Sequence, residues 1–197
     1  MKNLSIADKN HIEYTKMKLK ELLEKHTLSE YMKGNENVDY MIHVILHRQA
    51  FSKIELHTEY HGKFSEKHDV DKVGMALILG REDAKRIHKL TALHHTKGLE
   101  ENNEDILAEK IIDWESCHYT KIKSQKTAYE YLITEHKDKE EQLKPIMQKL
   151  GIWEERNTKP LTEEAYDAMV KNVSIETIET ELKKSYNYLC DLTNEVA

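Results

Sequence analysis

The residues able to do chemistry gather in the middle third of the chain. Twelve histidines occur among 197 residues, and several of those in this interval stand beside or near aspartates. In chain order they are His43 and His47, the pair His68-Asp69, then His88, the pair His94-His95, and finally Asp113. Imidazole nitrogen and carboxylate oxygen suit divalent zinc, manganese, iron or nickel, so these side chains, if they converge, could hold a metal ion. Taken singly none of them carries that reading. A lone histidine on an apolar helix is usually a core residue bonded to a neighbour, and an adjacent His-Asp pair arises often by chance. The weight lies in ligand-type residues following one another, in order, on separate helices. His11, His26, His57, His61, His118 and His136 match no pattern, and Cys117 and Cys190 form no CxxC pair and read as packing residues.

Those residues need elements to position them, and the composition favours helices. Only six Gly and two Pro occur, against abundant Lys, Glu, Leu and Ile, so the punctuation of hairpins and sandwiches is missing. An all-α fold is expected. Ile12, Met17, Leu19, Leu22 and Leu23 recur at helical spacing, and Thr27 with Glu30 has capping-box spacing for a short helix ending near Gly34. A long helix from Val38 to about Tyr60 would carry His43 and His47 one turn apart. After a break near Gly62, His68-Asp69 opens a nearly all-apolar helix that Gly80 can end. One helix over Glu82 to Thr96 would place His88 and His95, seven apart, on one face and His94 off it. A polar loop, Lys97 to Asn103, leads to a helix from Ile106 to about Lys121 bearing Asp113. Two more are expected over Ser124 to His136 and Glu140 to Leu150, the latter with Pro145, a residue that disfavours a helix interior, in its midst. Asn157 to Pro160 resemble a linker before amphipathic helices at Thr162 to Lys171 and Ser174 to Asn194.

With this placement the string HRQAF…HDVDK…IHKLTALHH…IIDWE resembles the HD superfamily of metal-dependent phosphohydrolases, whose pattern is H…HD…D on successive helices of a bundle. More narrowly it is similar to a small bacterial and phage family of HD-like proteins sharing an HDxxK element, an HH pair and a DW pair. The resemblance covers roughly Val38 to Trp153. It implies an HD-like helical bundle with additional N- and C-terminal helices: a domain over 1–156, and an extension over 157–197 packing on the core or on a second copy. It implies metal ligands at His47, with His43 as its competitor, at His68, Asp69 and Asp113. His88, His94 and His95 lie where two-metal members bind a second ion. The ion would be Mn, Zn, Ni, Fe, Co or Mg, one or two per site.

In such a site Asp69 is catalytic as well as ligating. Lys72, one turn after His68, could pair with a phosphate or leaving group, or simply form a salt bridge to a nearby carboxylate. The reaction implied is hydrolysis of a small phosphorylated nucleotide or related phosphoester by metal-activated water. A di-iron oxygenase and a non-catalytic nucleotide-binding module stay open beside it. A formal net charge of -6 argues against a nucleic-acid footprint. No stretch approaches the roughly 20 apolar residues of a membrane span, and Met1 to Asn10 lacks the apolar run of a signal peptide, so a cytoplasmic protein is expected.

Overall fold

Helix starts are written in side chains that satisfy the otherwise unpaired N–H groups of a first turn. Ser5 accepts from the Asp8 N–H at 3.1 Å while the Asp8 carboxylate accepts from the Ser5 N–H at 3.0 Å. Thr127 and Glu130 repeat this box, and Asn103 accepts from the N–H groups of Asp105 and Ile106. A computed structural model of the chain describes residues 4–100, 102–122, 126–154 and 161–194. Among these residues there are helices and no strand: α1 (Ile6–Glu24), α2 (Leu28–Met32), α3 (Val38–Glu55), α4 (Val70–Leu79), α5 (Arg81–Thr91) and α6 (Leu93–Thr96), followed by α7 (Glu104–His118), α8 (Ala128–Glu135), α9 (Glu140–Lys149), α10 (Glu163–Lys171) and α11 (Ile175–Asn194). The fold is all-α, as the composition implies. No helix among the described residues is long and apolar enough to cross a membrane.

Two of the expected helices are cut short or divided. The helix carrying His47 stops at Glu55 instead of running to Tyr60, because the Glu55 carboxylate turns back to accept from the N–H groups of Phe64 and Ser65 and so gathers the following residues into a turn. The helix expected over Glu82 to Thr96 is two, α5 and α6, separated at Ala92, whose backbone is extended (φ -77°, ψ 128°). Pro145 lies inside α9 without ending it. The linker expected at Asn157 to Pro160 lies outside the described residues, as does residue 101 of the polar loop.

The described residues fall into two units interleaved along the chain, Met1–Ile45 with Asp69–Ala92 and Val170–Ala197, and Leu46–His68 with Leu93–Met169. In the first unit α4 packs against α1, α5 and α11, around Leu19, Met41, Val73, Met75, Leu77, Ile87 and Leu182. Gly74 permits that packing. A Cβ there would sit 2.5 Å from Leu19 Cδ1 and 2.7 Å from Ser185 Oγ, which instead accepts from the Gly74 N–H at 3.0 Å. Gly80, at φ +84°, joins α4 to α5 in a conformation that L side chains rarely adopt. In the second unit α7 is central, packed with α6, α8 and α9, and its core holds Phe51, Leu107, Ile111, Ile112, Leu132, Leu143 and Met147.

Candidate metal centre

In the second unit, three segments remote in sequence bring their ligand-type residues together. His47 stands on α3, His68 at the end of the turn after α3, and Asp113 on α7, with both histidines buried. Asp113 Oδ1 lies 2.9 Å from His47 Nε2 and 3.7 Å from His68 Nε2. His68 is fixed from several directions. Its N–H donates to Phe64 O at 2.9 Å, its carbonyl accepts from the Arg48 guanidinium, and its ring stacks on Phe51 with centroids 3.8 Å apart. Phe51, fully buried, contributes roughly 2–3 kcal/mol through its apolar surface while setting that ring plane.

The imidazoles are also held from behind. His68 Nδ1 donates to Glu109 Oε1 at 3.1 Å and His94 Nδ1 lies 3.0 Å from the same oxygen. A carboxylate only accepts, so the ring proton belongs on Nδ1 in both residues. His47 Nδ1 is 3.4 Å from Thr120 Oγ1. This is the arrangement of ligating histidines, whose second ring nitrogen donates to a carboxylate or other acceptor while the first faces the ion. The residues present therefore fit a divalent cation. The donor atoms of His47, Asp113 and Cys117 lie within 4.8 Å of one another, as do those of His68, His94 and Glu109, so these groups could hold a metal ion.

The first unit holds Asp69, Lys72 and His88. Asp69 precedes α4 at φ 55°, a left-handed conformation uncommon outside glycine, and its carboxylate makes no cap for the helix. Instead Lys72 donates to it at 2.6 Å and His88 Nε2 lies 2.8 Å away. His88 Nδ1 meets Asp71 Oδ1 at 2.9 Å, so one buried ring stands between two carboxylates. Asp71 is in turn braced by α11, where Ser185 Oγ donates to its carbonyl at 3.4 Å.

Charge is tuned throughout. Burial disfavours the His47 imidazolium, but hydrogen bonds with Asp113 and Cys117 outweigh it and carry the pKa up to about 10. Burial is likewise overcome at His88, raised to about 9 by the charges of Asp71 and Asp69. Asp113 is held well below its ordinary value by His47 and His68 despite burial, and Glu109 is lowered to about 2 by His68 and His94 against the same opposition.

Of the residues expected from sequence, His47, His68 and Asp113 meet in one unit together with His94, while Asp69, Lys72 and His88 meet in the other. It is His47 that faces Asp113. His43 is half-buried and lies parallel to Tyr40, with ring centroids 6.2 Å apart. His94 is buried whereas His95 is half-buried, with its ring 4.2 Å from that of His94. Sequence reasoning passed over Asp71, Glu109 and Cys117. Glu109 and Cys117 were findable, because each is one turn from Asp113 and shares its face of α7. Asp71 lies two residues beyond Asp69 and reads as pointing away, yet it is buried on His88. Comparison with protein-family profiles, with curated proteins and with solved structures finds no match.

Proposed function

We propose that the chain is a metal-dependent phosphohydrolase of the HD type, acting on a small phosphorylated nucleotide or related phosphoester. The observation that carries this reading is the meeting of His47, His68 and Asp113, in the order H…H…D, with their imidazoles anchored through Nδ1. The ligands assigned are His47, His68 and Asp113, which meet within the second unit, and Asp69 is the carboxylate that follows His68 in the HD pair.

A bound divalent cation supplies Lewis-acid polarisation of a phosphate oxygen and a water acidic enough to attack near neutral pH. The chain's own residues do the rest. Thr120 and Glu109 hold His47 and His68 in orientation, Phe51 fixes the plane of His68, and Lys72 offers an ammonium beside Asp69 to the substrate's phosphate. Asp69, held by Lys72 and His88, would be the carboxylate to orient the attacking water and accept its proton.

The test is a panel of phosphorylated nucleotides with Mn, Zn, Ni, Fe, Co and Mg, using wild type, His68→Ala and Asp69→Ala. Turnover with at least one compound, reduced by about 100-fold or more in both variants, is expected. Turnover supported by manganese or nickel without iron excludes an oxygenase. No turnover of any compound, with metal content unchanged in both variants, overturns the proposal.

A further inference from the structure

His68 and His94 come from separate segments, one ending the turn after α3 and the other on α6, yet both rings answer to one side chain. Their Nδ1 atoms lie 3.1 and 3.0 Å from Glu109 Oε1, their centroids are 4.8 Å apart, and both residues are buried. The next residue on α7 completes the hold, since Lys110 Nζ donates to the His94 carbonyl at 2.8 Å. We propose that Glu109 is a positioning residue for the metal centre, fixing the tautomer and orientation of His68 and His94 together so that each presents Nε2 as a ligand.

The inference rests on the metal site proposed above and gives Glu109, whose carboxylate also lies near enough to be a ligand, a positioning role instead. Two imidazoles sharing one acceptor oxygen cannot rotate independently. Turning either ring over would place Cδ2 where the donor stands and Cε1 where Nε2 is required. The negative charge on Glu109 matters as well as its position, because a carboxylate on the far nitrogen makes the near one a stronger ligand. A buried ion pair that served only packing would need neither a shared oxygen nor Nδ1 on both rings.

The full chain is titrated with zinc and cobalt as wild type, Glu109→Gln and Glu109→Leu. Gln keeps an acceptor oxygen without charge, and Leu removes both. Affinity is expected to fall about tenfold in the first and about 100-fold in the second, with altered d–d absorption of bound cobalt. Long-range proton–nitrogen spectra of zinc-loaded wild type should show His68 and His94 protonated at Nδ1. Should a variant fail to fold, those spectra decide alone, and a proton on Nε2 of either ring overturns the proposal. Wild-type affinity in Glu109→Leu, with metal lost in His68→Ala, removes Glu109 from the site and leaves the site standing. Affinity unchanged in both His68→Ala and Asp113→Asn removes the metal site, and this proposal with it.

Discussion

A buried imidazole between acidic partners is a proton store before it is a ligand. His47, carried up to about 10, and His88, up to about 9, are protonated at neutral pH in the metal-free protein, whereas free imidazole titrates near 6.5. A pKa raised on folding contributes stability that is complete below about pH 6.5 and vanishes as pH climbs through the folded values. Metal-free protein is therefore expected to lose melting temperature between about pH 6.5 and 10. Metal binding runs the other way. In the proposed site the His47 ring must release its proton to become a ligand, so apparent affinity rises over that window and protons appear in solution. Calorimetry in buffers of differing ionisation enthalpy measures the release, and an affinity flat across this range contradicts the assignment. At this scale the sequence disclosed residue types and order. It could not disclose that Glu109 and Asp71 stand behind the histidines, because a carboxylate one turn from a ligand looks like any solvated helix charge until its partner's rotamer is known.

At the scale of elements, most helices were readable from periodicity and caps, and the exceptions have local causes. The end of α3 at Glu55 depends on a carboxylate accepting backbone donors nine and ten residues onward, which no periodicity records. The break at Ala92 has no glycine or proline to announce it, so periodicity alone predicts one helix over Glu82 to Thr96 where there are two. Tight helix contacts are similarly hidden. Gly74 reads as a mild helix weakness, yet it is the point where α4, α1 and α11 meet. Gly74→Ala would gain roughly 1 kcal/mol of helix propensity, but its Cβ would collide with Leu19 and Ser185, costing about 1–3 kcal/mol and the Gly74–Ser185 hydrogen bond. A net loss of about 1–2 kcal/mol in denaturant unfolding is expected. A variant as stable as wild type would show that the contact relaxes freely.

For the molecule as a whole, composition announced an all-helical fold, but not its division. Hydrophobic stripes state which face of a helix is buried and say nothing of which partner buries it. Thus α11, an amphipathic stripe in sequence, proves to be a wall of the first unit's core, touching α1 and α4 through Ile178, Leu182 and Leu189. That has a consequence for how the protein is made. Synthesis delivers α1 to the tunnel exit long before α11, so a nascent chain must hold Leu19 and Met41 exposed, or chaperoned, until nearly all the described residues have emerged. The stretch from Leu93 to Met169 can condense earlier around α7. Protease challenge of ribosome-stalled chains should therefore find α7–α9 protected first, and α1 and α4 protected only once α11 has cleared the ribosome. Protection of α1 and α4 in chains stalled before α11 would mean that the first unit's core closes without its last wall.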